Sequence, residues 1–171
     1  MRGALLDLGD RQRVLVGMSE ADTARPYGRR VLLETDQLEV MVACWTRKTP
    51  CAPHTHGGSI GVVQILQGAS RHKVWKVTAE GLKLIHEGLV RPPDVLVCGP
   101  DLVHSMEDAG DDQPLVTLHM YSHAIDHMLV YDTEAGETLI VDGACGAWIP
   151  ETGSGFIRDR LLGYHQPHVE T

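Results

Sequence analysis

The chain has 171 residues, of which 43% are hydrophobic, and carries a formal net charge of −8 at pH 7. This length fits one compact domain, 1–171, whose core is large enough to enclose a small pocket. The acidic balance and the absence of a Lys/Arg run argue against a nucleic-acid groove. No segment is apolar over the length of a membrane span or resembles a secretion signal, so we expect a cytoplasmic protein that binds no membrane.

The N-terminal segment, 1–30, is less regular than the remainder of the chain. Within it, Ser19-Glu20-Ala21-Asp22 matches a helix capping box, so a short irregular or helical segment is expected there. The core of the domain is predicted at about 31–142. A tail rich in Gly and Pro, 143–171, follows it.

Short apolar runs separated by turn residues predict a series of β-strands. These runs are 40–45, 61–66, 72–77, 82–85, 95–98, 115–121 and 138–141. Turns such as Gly57-Gly58 and Gly99-Pro100 lie between most of them, which is typical of antiparallel sheets and not of βαβ units. The predicted fold class is therefore all-β, with a jelly roll as the architecture.

The cysteines predict neither a disulfide framework nor a zinc knuckle. Cys44, Cys51, Cys98 and Cys145 are scattered along the chain without CxxC spacing. We therefore expect ordinary reduced thiols.

His54-Thr55-His56, with His104 much further along the chain, predicts a metal site. Residues two apart on a strand project to the same face, so His54 and His56 can reach one ion while Thr55 points away. Neutral imidazole binds iron, copper, nickel and zinc, so the residue types do not choose the metal. The alternative is that these are surface histidines in a turn.

The segment 114–122 alternates polar and apolar side chains. One face carries Leu115, Thr117, His119 and Tyr121, and the other carries Val116, Leu118 and Met120. Alternation alone would place the polar set in water. A barrel with a polar interior pocket would instead enclose it.

The segment from His54 to Gly61, with Gly68 beyond it, resembles the first cupin motif, in which a Glu normally stands at the position of Gly61. The second motif supplies His104. Three neutral ligands would leave the dipositive charge of a metal uncompensated, which favours an anionic ligand such as a thiolate. Hydrolysis at a three-histidine zinc site is a further possibility.

Between about Tyr27 and Gly136 the chain resembles the cysteine dioxygenase family of small cupins. The resemblance rests on several short motifs. They are Cys44-Trp45, His54-x-His56, Leu66-Gln67-Gly68, His104, Leu118-His119-Met120-Tyr121-Ser122, Asp132 and Gly136. It implies a single-domain jelly-roll β-barrel that uses Fe(II) and O2.

The resemblance also implies roles for individual residues. His54, His56 and His104 would be the Fe(II) ligands, and Tyr121 with His119 would form a hydrogen-bonded pair beside them. Thr117 stands where the family usually has Ser and preserves the hydroxyl group.

Tyr27-Gly28-Arg29 matches the Tyr-x-Arg segment of the family. Arg29 would therefore bind the substrate carboxylate. If the alignment with the family is shifted by one residue, Arg30 takes this role instead.

The chain departs from the family pattern at Gly61, at His123-Ala124, where the family often has two prolines after the serine, and at two additional histidines. Gly61 stands where the animal enzymes carry the cysteine that crosslinks to the tyrosine, so the chain is similar to the bacterial branch that lacks the crosslink. His123 and His127 are additional imidazoles near the end of the motif, and we expect them to lie in solvent.

The resemblance implies oxidation of L-cysteine with O2 to cysteine sulfinic acid, by a monomer or homodimer. One alternative is another small thiol, such as 3-mercaptopropionate. Others are oxidation beyond the sulfinate, for example to a sulfonamide, and a cupin that binds a ligand or a structural metal without catalysis.

Overall fold

The computed structural model describes residues 25–47, 49–110 and 112–167, so the capping match at 19–22 lies outside the described residues. Those ranges contain eleven β-strands and no helix. The strands are β1 (Tyr27–Thr35), β2 (Leu38–Trp45), β3 (Gly61–Gln67), β4 (Ser70–Thr78), β5 (Gly81–Val90), β6 (Val95–Cys98), β7 (Val103–Asp108), β8 (Val116–Tyr121), β9 (His127–Asp132), β10 (Glu137–Asp142) and β11 (Ile157–Leu162). The all-β prediction is confirmed.

The strands form three antiparallel sheets. The largest has the order β1-β2-β8-β3-β6, and the smaller sheets have the orders β5-β4-β7 and β11-β10-β9. Strands distant in sequence are neighbours, since β8 lies between β2 and β3. This crossover brings the polar face of 114–122 beside the segment that carries His54 and His56.

The centre of the large sheet is buried on both faces. Successive residues of its strands point to opposite faces, and apolar residues lie on both faces. On the inner face, Ala43, Trp45 and Ile65 belong to one apolar cluster, and on the opposite face Val42 and Leu118 belong to another. Each fully buried side chain of this size stabilises the fold by about 1.5–3 kcal/mol. Residue pattern and burial therefore agree along β2 and β8.

Every predicted strand is present, and the structure adds β1, β7, β9 and β11. β1 and β11 are edge strands whose residues are mostly exposed, so they lack the alternation that a sequence pattern detects. β7 buries His104 and Ser105, polar residues that weaken an apolar signal. The strands thus extend at both ends beyond the range 31–142.

The segment after Gly143 packs against the smaller sheets. The Tyr131 hydroxyl donates to the carbonyl of His165 (2.9 Å), and Gln166 Nε2 donates to the carbonyl of Val77 (2.8 Å). Within the described ranges, no helix has the length and apolar character that crossing a membrane requires. All cysteines are free thiols, as expected, and Cys51, Cys98 and Cys145 are buried.

Gly143 is a point of close backbone contact between this segment and the loop before β9. Its amide donates to the carbonyl of Asp126 at 2.8 Å. A Cβ atom on Gly143 would lie 1.7 Å from the carbonyl oxygen of Ile125, which no backbone adjustment of a few tenths of an ångström can accommodate. A side chain here would push the two segments apart.

We predict that Gly143→Ala lowers the free energy of unfolding by on the order of 1–3 kcal/mol, because the methyl group overlaps a backbone carbonyl. Urea denaturation measures the change. Gly99→Ala is the matched control, since a Cβ there meets nothing within 4 Å. Equal stability of the two variants would contradict the prediction.

Candidate metal centre

The segment that carries His54 and His56 is held by backbone pairing, although it is not part of a long strand. His54 forms isolated β-bridges to His104 of β7 and to Val130 of β9. The amides and carbonyls of His54 and His104 bond reciprocally, at 2.9 and 3.1 Å. Thr55 binds the backbone of Leu129 through both its amide (3.0 Å) and its hydroxyl (3.1 Å), so its side chain points away from the two histidines.

This pairing brings the predicted metal ligands together. His54, His56 and His104 are all buried, and one nitrogen from each lies within 4.8 Å of the others. His56 Nε2 and His104 Nε2 are 3.2 Å apart. Among the residues the structure describes, this is the one cluster of His, Cys, Asp or Glu side chains with this spacing.

The imidazoles of this cluster are neutral. Burial lowers the pKa of His54 to about 4, with a smaller lowering by His72 opposed by the carbonyl of Ala52, and burial lowers the pKa values of His56 and His104 well below the usual range. Neutral imidazole presents a lone pair, which is the form that binds a metal.

The outer hydrogen bonds indicate that the cluster fits a metal ion. His54 Nδ1 donates to the carbonyl of Ala52 (2.9 Å), which leaves the lone pair on Nε2. His104 Nδ1 lies 3.0 Å from His72 Nε2, and His56 Nδ1 is buried without a partner. Converging nitrogen lone pairs repel one another unless a cation or a proton lies between them. Three imidazoles can bind such a cation and leave further coordination positions open.

A chain of hydrogen bonds follows the inner face of β8. Trp45 Nε1 donates to Thr117 Oγ1 (2.9 Å), Thr117 Oγ1 lies 2.7 Å from His119 Nε2, and His119 Nδ1 lies 3.0 Å from the Tyr121 hydroxyl. All of these side chains are buried. The barrel interior thus encloses the polar face of 114–122.

Tryptophan can only donate, so the Thr117 hydroxyl accepts from Trp45, and it can in addition either donate to His119 Nε2 or accept from it. When Thr117 donates, neutral His119 carries its proton on Nδ1 and donates it to the Tyr121 oxygen. In that arrangement the Tyr121 O–H donates into the cavity, where the Tyr121 ring lies 5.0 Å from that of His56.

Tyr27 and Arg29 line the same narrow cavity as the three histidines, His119 and Tyr121. The Tyr27 hydroxyl accepts a hydrogen bond from the amide of Ala147 (2.8 Å), and Arg29 donates to the carbonyl of Gly143 (2.8 Å). Arg30 is exposed and does not line the cavity. Of the two arginines left open by the sequence, Arg29 is therefore the one at the site.

Gly61 pairs directly with Tyr121 across β3 and β8. A Cβ atom on Gly61 would lie 2.5 Å from Cδ1 of the Tyr121 ring. The absence of a side chain at this position is what allows the ring to lie where it does.

The two additional histidines lie outside the cavity. His123 is exposed and contacts Ser59 Oγ through Nδ1 (2.9 Å), and His127 contacts Asp126 (3.3 Å) with a side chain that is 45% exposed. Neither lines the pocket of the histidine cluster. The expectation of solvated imidazoles is confirmed for His123, and His127 is half-buried.

Sequence reasoning missed three residues at the site: His72, Gly143 and Ala147. Gly143 and Ala147 act through backbone groups, which leave no signal in the side-chain pattern. His72 lies in a predicted strand, and only the pairing of that strand with β7 brings it to His104.

Known structures share the fold of this chain, whereas no family model matches it. An uncharacterised protein with a double-stranded β-helix domain from Klebsiella pneumoniae superposes with a TM-score of 0.56 and 15% identity, covering 70% of this chain and 95% of that chain. A protein from Bacillus halodurans gives 0.54 and 12%, covering 68% and 79%. One from Thermus thermophilus gives 0.51 and 15%, covering 64% and 93%.

The double-stranded β-helix is the jelly roll of the cupins, so the chain has a cupin fold. At these identities the likeness establishes the fold alone. Fold and site together define a protein of cupin fold with a buried histidine cluster that can bind a metal.

We predict that His119 makes the stability of the metal-free protein depend on pH. Burial, with smaller effects of His54 and Arg29, lowers the pKa of His119 to about 3, whereas the unfolded chain titrates near 6.5. Between these values the unfolded state binds more protons, so the contribution to stability is fully present above pH 6.5 and decreases as the pH falls.

Urea denaturation over this pH range would show the effect as a difference between the wild type and His119→Gln. The wild type should lose stability more steeply, by up to about 1.4 kcal/mol per pH unit. Parallel curves for the two proteins would show that His119 titrates normally.

Proposed function

We propose that the protein is a non-haem Fe(II) thiol dioxygenase that oxidises L-cysteine with O2 to cysteine sulfinic acid. The observation that carries this proposal is the content of one buried cavity. It contains a neutral three-histidine cluster without a carboxylate, a Tyr–His pair and an arginine.

The reaction transfers both atoms of O2 to the sulfur. The thiol loses its proton, two S–O bonds form, and the four electrons that sulfur loses reduce the dioxygen. Fe(II) held by His54, His56 and His104 would supply the redox chemistry that joins the thiol sulfur to O2. A site of three neutral ligands keeps the full charge of the metal, which favours the thiolate over the thiol.

The protein side chains would orient the substrate and stabilise the developing oxygen charge. Arg29 is held by the carbonyl of Gly143 through one nitrogen, which leaves other N–H groups to bind a carboxylate. Tyr121 would donate a hydrogen bond to oxygen bound at the sulfur, in the arrangement in which His119 Nδ1 donates to the Tyr121 oxygen. A positioned donor of this kind contributes about a hundredfold or more in rate.

The decisive experiment is anaerobic loading with Fe(II), addition of L-cysteine and O2, and identification of the sulfur product by mass spectrometry. Cysteine sulfinate formed with one O2 per thiol would support the proposal. Faster O2 consumption with 3-mercaptopropionate would assign the alternative thiol, and a sulfonamide product would assign further oxidation. No O2 consumption with any thiol would leave a non-catalytic cupin.

We predict that Tyr121→Phe keeps the Fe(II) content of the wild type and loses about a hundredfold or more of the turnover, because only the hydroxyl donor is removed. Oxygen consumption and metal analysis measure the two effects. Tyr131→Phe is the matched control, since Tyr131 is also buried but donates to the carbonyl of His165, away from the cavity. Wild-type turnover in Tyr121→Phe would remove Tyr121 from the mechanism.

We predict that Arg29→Gln raises the KM for L-cysteine at least tenfold, as expected for the loss of a charge-assisted hydrogen bond worth about 1.5–3 kcal/mol. The KM for cysteamine, a thiol without a carboxylate, should change little. Arg30→Gln removes the adjacent exposed charge and should leave both values unchanged. Equal effects of the two variants would show that Arg29 acts only through the net charge.

A further inference from the structure

The outer nitrogens of the three clustered histidines have different partners. His54 Nδ1 bonds to a backbone carbonyl, and His56 Nδ1 has no partner. His104 Nδ1 lies 3.0 Å from the side chain of His72. His104 is therefore the one member of the cluster whose orientation depends on another imidazole.

His72 reaches His104 because β4 pairs with β7. Val74 lies opposite His104 and His72 lies opposite Met106, so the two imidazoles are diagonal neighbours. Their ring centroids are 5.2 Å apart with planes inclined by 72°. His72 is 7% exposed, so its ring is buried against this contact.

The strand on the other edge of β4, β5, also packs closely around His72. Gly88 of β5 pairs with His72 and carries no side chain. The His86 ring occupies the space above Gly88, since a Cβ atom there would lie 3.3 Å from His86 Nε2. His72 thus lies between His104 of β7 and His86 of β5.

We infer that His72 is a positioning residue for the metal centre, which accepts the Nδ1 proton of His104 and so directs the Nε2 lone pair of His104 toward the other two histidines. This inference rests on the proposed metal site. Neutral imidazole carries one proton, and its position determines which nitrogen can bind a metal. Without an acceptor at Nδ1, the proton can move to Nε2, which faces His56 at 3.2 Å. Partners of this kind contribute tenfold to a hundredfold to metal affinity.

Two variants separate the hydrogen bond from packing. His72→Phe keeps the ring volume and removes the acceptor, whereas the side-chain oxygen of His72→Gln can accept near the position of Nε2. We expect His72→Phe to bind Co(II) about tenfold to a hundredfold more weakly than the wild type, with an altered visible absorption of the bound ion. His72→Gln should restore most of the affinity and the absorption.

His123→Phe is the control, because His123 is exposed and does not line the cavity. Wild-type affinity in His72→Phe would overturn the inference. Equal weakening in both His72 variants would also overturn it, because that result would assign the effect to packing.

A measurement on the metal-free protein separates this inference from the proposed function. Nitrogen NMR of labelled histidine reports the tautomer of each neutral imidazole. We expect His104 to carry its proton on Nδ1 in the wild type and to populate the Nε2 form in His72→Phe. An Nε2 proton on wild-type His104 would overturn the inference whether or not metal binds, whereas failure of the wild type to bind Co(II) would overturn the metal site itself.

Discussion

The reciprocal backbone bonds between His54 and His104 are the constraint on which the site depends. They join the segment before β3 to β7, and the bridge from His54 to Val130 joins the same segment to β9. Two different sheets thereby meet at one residue. Because a buried backbone group must be paired, this short segment has one favourable position, and that position brings the imidazoles together.

Burial determines what these side chains can do. The same apolar surroundings that stabilise the barrel lower the pKa values of His54, His104 and His119, so each presents a neutral ring. A neutral histidine can bind a metal through one ring nitrogen and donate a hydrogen bond through the other, whereas a charged histidine would repel a cation. In the chain from Trp45 through Thr117 to Tyr121 the first hydrogen bond has a fixed direction, because tryptophan can only donate.

Much of the site depends on the segment after β10. Its backbone binds the Tyr27 hydroxyl and the Arg29 guanidinium through Ala147 and Gly143, and Gly143 lies directly against the loop before β9. An arginine held in this way loses little freedom when it binds a carboxylate, which favours orientation of a small substrate. A segment with the composition of a tail is thus part of the cavity wall.

The sequence by itself determined the all-β class, the central strands and the histidines of the candidate metal centre, because alternation and the spacing of His54 and His56 are local properties. It indicated neither the edge strands β1 and β11 nor the polar strand β7, since their residues lack an apolar period. The contact of His72 with His104 and the support from Gly143 were decided by the tertiary structure alone, which also excludes Arg30 from the cavity. Each of these depends on which strands and segments become neighbours, and that is fixed by packing across the whole barrel and not by any one stretch of the chain.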